Sequence, residues 1–328
     1  MRFPCLRAVL LVASALCSAA PASAALRTPV AAAEAAGEQL PLWPVGRVPG
    51  EGTAYTAAAQ VYERSGDPRQ PDRYVDQVNA PYLLVHAPRR PNGRAVLVIP
   101  GGGYQRVVID KEGTELVPEW VDRAGYTLFV LRYRLPQPGR SRDAALADAQ
   151  RAMRRVRAEA AQRGLDPQDI AVMGFSAGGH VAARLATGFD TVLHPAQDAI
   201  DALSARPSRA VLAYPVIDMG VHAHPGSRQR LLAGADDPAL LRRYSLQHQV
   251  RADMPPTLLL HAADDEVVSA DNSRVMAQAL AAAGVEHELH VFARGGHGFG
   301  MRTRAGTTTA LWPLLAQNFL RPVEETVP

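Results

Sequence analysis

Short, mostly apolar runs alternate along this chain with longer stretches in which apolar residues return every third or fourth position. The short runs are residues 82–86, 95–99, 126–133, 170–173, 210–214, 257–261 and 288–292. Each reads as a strand, and 95–99, apolar at every position, reads as one buried on both faces, since such a strand has no polar side. Between them lie helical stretches. Residues 115–124 form one, and a second is marked by Leu146, Ala149, Met153, Val156 and Ala160, with arginines on its other faces that read as a solvated surface. Residues 177–186 and 272–283 follow, the latter stopped by Gly284, which suits a left-handed cap. A closing helix reaches about Leu320, with Pro313 acceptable only in its first turn. Residues 89–93 are a turn signal.

Strand–helix alternation of this kind predicts an α/β fold: a mostly parallel, twisted sheet with helices on both faces. The rhythm breaks over residues 217–256, which are rich in Gly, Pro, His and Asp. We read that stretch as a small insertion over the carboxyl edge of the sheet, where it would shape a pocket near the active site.

Composition adds the frame. The chain has 328 residues, of which 47% are hydrophobic and 20% charged, an ordinary globular balance that one α/β domain can absorb. The organisation expected is a signal peptide at 1–24, a loose Ala-rich leader at 25–39, a single domain at 40–322 and a C-terminal tail at 323–328. Arg2 and Arg7 precede an apolar stretch at 8–20, and Ala22-Ser23-Ala24 is a small-residue cleavage signal. Both cysteines, Cys5 and Cys17, would leave with the signal, and Leu16 is too bulky for the usual lipidation motif at Cys17. The mature chain would then hold no disulfide and no thiolate metal site. No other apolar run is long enough to span a bilayer, so a secreted or periplasmic protein without membrane anchor is expected. The formal net charge is +3, with arginines and acids interspersed rather than gathered in a stripe, which argues against nucleic-acid binding.

Four elements carry candidate chemistry, each just after a predicted strand. Gly174-Phe175-Ser176-Ala177-Gly178 matches G-x-S-x-G between a strand and an Ala-rich helix. A serine on so tight a turn needs small neighbours, and the turn lifts its hydroxyl toward the helix N-terminus, where a developing oxyanion is favoured. A serine hydroxyl needs a base. His297, in Gly295-Gly296-His297-Gly298, follows the last strand and is the candidate. The acid that orients the base lies in Asp264-Asp265-Glu266-Val267-Val268; Asp265 is preferred and Asp264 is left to shape the turn. Pro100-Gly101-Gly102-Gly103-Tyr104 follows a buried strand and would supply a backbone donor to an oxyanion hole completed by Ala177. It lacks the pattern of a phosphate-binding loop. His180, His261, His287 and His290 read as structural, and Asp218 with His222 and His224 is too sparse for a metal site, so no metal or cofactor is expected.

Taken together, these motifs resemble the bacterial acetyl-xylan-esterase-like α/β-hydrolases of the BD-FAE type. Further resembling stretches are Leu42-Trp43-Pro44, Lys111-Glu112-Gly113, Leu131-Arg132-Tyr133-Arg134-Leu135, Tyr214-Pro215-Val216-Ile217-Asp218 and Pro255-Pro256-Thr257. Pro100 replaces the His of H-G-G-G, and Ala262 stands where Gly is commoner before the acid. The resemblance implies the α/β-hydrolase fold, a carboxylic-ester hydrolase acting on small-molecule or carbohydrate esters, Ser176, Asp265 and His297 as triad, and Gly102, Gly103 and Ala177 as oxyanion donors. It also implies Tyr104 and Glu112 as residues near the substrate. Two rivals share this machinery: a prolyl-oligopeptidase-like peptidase or amidase, and a hydrolase-shaped binding protein without catalysis.

Overall fold

The computed structural model describes residue 1 and residues 37–50 and 59–321. Apart from Met1, the expected signal peptide lies outside the described residues, as do most of the leader and the C-terminal tail.

Eight strands form the main sheet. They are β1 (Glu38–Pro41), β4 (Tyr82–His86), β5 (Ala95–Ile99), β7 (Thr127–Arg132), β8 (Ile170–Phe175), β9 (Ala210–Ala213), β10 (Thr257–Ala262) and β11 (His287–Phe292). Their order is β1-β4-β7-β5-β8-β9-β10-β11. From β7 to β11 every neighbouring pair is parallel, while β4 and β1 are added antiparallel at one edge. The mostly parallel sheet read from the sequence is the one observed.

Alternation along each strand splits the core in two. In β5, Leu97 and Ile99 join the layer against the helices α1 (Ala144–Glu159) and α2 (Ser176–Thr187), and α5 (Asp271–Ala282) covers the same side further along. Val96 and Val98 join the opposite layer, with Trp120 and Trp312, the latter on α6 (Trp312–Leu320). Each such aliphatic side chain adds about 1.5–3 kcal/mol by leaving water. That is why these runs are apolar on both faces and why the helices must cover both.

Several sequence expectations need correction. Glu38 and Gln39, assigned to a loose leader, belong to β1, where Glu38 pairs with Val85 and Leu40 with Leu83. The partner strand lies more than forty residues on, so no local pattern announces the pairing. A second sheet, β2 (Gln60–Glu63), β3 (Arg73–Asp76) and β6 (Val107–Val108), falls where no element was expected. The helix expected over 115–124 is a 3-10 turn, Thr114–Leu116, followed by a π-helical stretch, Val117–Arg123, with Pro118 in its first turn. The insertion carries two short helices, α3 (Pro225–Leu232) and α4 (Pro238–Tyr244).

The arginines of α1 are not all solvated either. Arg151 is 1% exposed; it donates to Asp198, Asp201 and the Leu42 carbonyl and lies against the Trp43 ring. One turn earlier, buried Asp148 accepts from Trp43 Nε1 at 2.9 Å and from Arg134 at 2.8–3.1 Å. A helix face read as wet is thus the dock for residues 42–43 and for the 198–201 turn, which only the tertiary arrangement brings to it.

Candidate active site

Ser176 stands at the β8–α2 turn with φ +51°, a left-handed conformation that costs an L-residue about 1–2 kcal/mol. Close packing holds it there. A Cβ on Gly178 would lie 2.2 Å from the Ile99 carbonyl and one on Gly101 would lie 2.9 Å from Ser176 Cβ, so both positions require glycine. The turn can therefore press against the end of β5, and Val216 N–H holds it from the other side by donating to the Ser176 carbonyl at 3.0 Å.

His297 Nε2 lies 2.9 Å from Ser176 Oγ, and His297 Nδ1 lies 2.7 Å from Asp265 Oδ2. The carboxylate fixes the tautomer: the proton sits on Nδ1, leaving the Nε2 lone pair to accept from the serine hydroxyl. Asp265 is itself held on all sides. Its Oδ1 accepts from the Val267 and Val268 amides, both at 2.9 Å. His261 Nε2 lies 3.3 Å from its Oδ2 and 2.9 Å from the Val268 carbonyl, so that nitrogen carries a proton, and Nδ1 accepts from Ser273. Burial alone would raise the Asp265 carboxyl. Hydrogen bonds from His261, His297 and the Val268 amide outweigh it and hold the group well below the usual carboxylate range. Asp264 turns away: its Oδ1 accepts from the Gly295 and Gly296 amides, both at 2.8 Å, and ties down the loop that presents His297.

Opposite His297, the loop after β5 offers amides. Gly102 and Gly103 both have positive φ, and among the described residues neither amide donates to an acceptor. Ala177 N–H lies in the first turn of α2, where the helix leaves its amides unpaired. The loop is steered by Glu112, which is 2% exposed: Oε2 accepts from Gly101 N–H at 2.7 Å and Oε1 from Tyr214 O–H at 3.0 Å. Tyr214 Oη in turn accepts from Gly300 N–H at 3.0 Å. One buried strut thus joins the candidate oxyanion loop to the loop bearing His297.

Ser176, His297, Gly102, Gly103 and Glu112 line one cavity of about 440 Å³, with Arg64, Arg106, Val108, Lys111, His224, Arg230 and Val267 among the other walls. Tyr104, expected to touch substrate, does not reach this cavity. Its own φ of +58° turns the ring inward, where it is 1% exposed and its hydroxyl donates to His180 Nδ1 at 2.6 Å. His180 Nε2 donates to the Tyr244 carbonyl, outside its own helix, and burial with help from Arg184 pushes this imidazole down to about 3. Glu112 sits in the wall, but both its oxygens already serve protein donors. His224 caps α3 through Ser227, and His222 faces Asp271.

Sequence reading missed the roles of His261 and Tyr214 around the site. The spacing His261-x-x-x-Asp265 was visible, but the two side chains meet only because the loop after β10 folds back and brings Asp265 and the Val268 carbonyl over the buried histidine. Arg64 and Arg106 flank strands of the unforeseen second sheet, following β2 and preceding β6, and Arg230 comes from α3.

A family model described as BD-FAE matches residues 83–280, more than half of the chain. An acetylxylan esterase of Xylanibacter ruminicola is 34% identical over 226 residues, covering 67% of this chain and 44% of the relative. Endo-1,4-beta-xylanase B of Butyrivibrio fibrisolvens is 36% identical over 205 residues, covering 62% and 32%. The chain thus spans less than half the length of either. Among solved structures, an acetyl ester-xyloside bifunctional hydrolase from Caldicellulosiruptor lactoaceticus superposes with a TM-score of 0.70 at 34% identity, over 86% of this chain and 95% of that one.

Proposed function

The chain belongs to the BD-FAE family, and from that membership and the geometry above we propose that it is a serine carboxylic-ester hydrolase that removes acetyl or other short acyl groups from carbohydrate or small-molecule esters. The observation that carries this reading is the unbroken chain Ser176 Oγ, His297, Asp265 at 2.9 and 2.7 Å, set at the N-terminus of α2.

In the proposed reaction, the Ser176 hydroxyl proton passes to His297 Nε2 as Oγ bonds to the ester carbonyl carbon. Asp265 stabilises the imidazolium that forms. Amides of Gly102, Gly103 and Ala177 take the oxyanion, each such donor being worth about 100- to 1000-fold in turnover. The carbon–oxygen bond to the alcohol then breaks, and His297 returns its proton to the leaving oxygen. Water repeats the sequence on the acyl-serine, releasing the acid and restoring the hydroxyl. The relatives named above support an acetyl group on a sugar alcohol as the bond attacked.

Turnover of 4-nitrophenyl acetate and acetylated xylan by wild type and Ser176→Ala tests this. The variant should lose at least about 10⁴-fold in kcat, and equal rates would overturn the reading. Faster cleavage of a peptide than of an acetyl ester would favour an amidase instead. We further propose secretion with cleavage after Ala24; N-terminal sequencing of the exported protein checks it, and a mature chain still beginning at Met1 would refute it.

A further inference from the structure

The walls of the site cavity are charged in one sense. Arg64, Arg106, Lys111 and Arg230 line it, against one carboxylate, Glu112, whose oxygens are both taken by Gly101 and Tyr214. Arg64 is answered by Asp72 at 2.7 Å, and Arg106 lies over the Tyr74 ring. Among the described residues Lys111 and Arg230 have no carboxylate partner.

Lys111 is anchored by its own carbonyl, which accepts from Met301 N–H at 3.0 Å, and its Nζ lies 2.9 Å from where a Cβ on Gly298 would stand. The ammonium therefore sits on the loop that carries His297. Arg230 donates from one nitrogen to the Gly226 carbonyl at 3.0 Å and lies 3.4 Å from that of Gly103, which leaves most of its five donors facing outward beside the oxyanion loop. A lone ammonium beside an imidazole that must become cationic opposes the reaction. That opposition vanishes if the bound substrate brings a negative charge to it.

Resting on the esterase reading, we propose that the alcohol half of the substrate carries a carboxylate, as an acetylated uronate-bearing saccharide does, with Lys111 as its direct partner and Arg230 as the second cation of the subsite. The alcohol half is indicated because His297 delivers its proton to the leaving oxygen, and Lys111 stands on the His297 loop.

The test uses the purified full-length protein and two matched substrates, an O-acetylated methyl glucuronoside and its uncharged glucuronamide. Wild type should favour the acid by about tenfold or more in kcat/KM at low salt, chiefly through KM, and about 0.5 M salt should erase most of that preference. Lys111→Met and Arg230→Gln should each shrink the ratio, the double variant should bring it near one, and Lys111→Arg should keep it. Equal kcat/KM for the two substrates in wild type, or an unchanged ratio in the double variant, overturns the proposal while leaving the esterase reading intact. A preference shown only for the hemisuccinate over the acetate of a neutral alcohol overturns the assignment to the alcohol half. No hydrolysis of either saccharide, with no labelling of Ser176 by a fluorophosphonate, overturns both readings together.

Discussion

Asp264 and Asp265 are chain neighbours whose carboxylates face opposite ways, one toward the Gly295–Gly296 amides and one toward His297. Asp265→Asn should therefore cut kcat about 10⁴-fold at neutral pH by favouring the wrong imidazole tautomer, whereas Asp264→Asn keeps an acceptor for the two amides and should cost about tenfold or less. Steady-state kinetics on one acetyl ester separates them, and a larger loss in Asp264→Asn would reverse the assignment. Tyr214→Phe strips the bridge between Glu112 and Gly300; leaving those groups unmet should cost about 1–3 kcal/mol of stability, read by thermal unfolding, together with a fall in kcat. His180 makes the fold sensitive to acid. Its imidazole is pushed down to about 3 in the folded chain but titrates near about 6.5 when unfolded. The unfolded state then binds the extra proton, so the contribution is complete above that higher value and drains away as pH falls toward the lower one. The drop in Tm between about pH 6.5 and 4 should be shallower in His180→Gln than in wild type; parallel curves would rule this out.

At the scale of elements, the site is a set of strand ends. The loops after β5, β8, β10 and β11 supply the candidate oxyanion amides, Ser176, Asp265 and His297, and register among these parallel strands sets how far apart they stand. The contact between the first turn of α2 and the end of β5 has no slack. Gly178→Ala puts a methyl 2.2 Å from the Ile99 carbonyl and 2.3 Å from that of Pro100, backbone atoms that cannot swing aside. The variant should lose activity toward any ester and unfold at lower temperature, since overpacking of this kind costs about 1–3 kcal/mol. Wild-type kinetics in Gly178→Ala would mean that the turn can shift. The insertion after β9 works differently: α3 brings Arg230 and His224 to the cavity rim, so its changes should alter substrate choice before they alter fold.

Across the whole molecule, the segment at 42–43 is fastened to α1 by charges with almost no access to water. Asp148 and the Arg134 side chain are 0% and 1% exposed. Replacing one partner strands the other, so Asp148→Leu should destabilise by about 3–5 kcal/mol, a Tm drop of about 5–10 °C, with little change in KM for a short ester. Thermal unfolding monitored by circular dichroism measures it, and a drop of only a degree or two would show that this dock is dispensable.

The apolar runs, the G-x-S-x-G turn and the order of serine, acid and histidine were legible in the sequence because each is a local pattern with a steric or periodic cause. Strands buried on both faces must be apolar, and a strained turn must be built of small residues. Tertiary structure alone decided which donors Asp264 would meet, that Tyr104 would turn beneath the loop and that Arg151 would be buried. It alone paired β1 with β4, formed the second sheet, and gathered Lys111 and Arg230 in one cavity. Those outcomes depend on which distant segments fold back against each other, and a side chain's spacing along the chain carries no record of the partner that arrives from elsewhere.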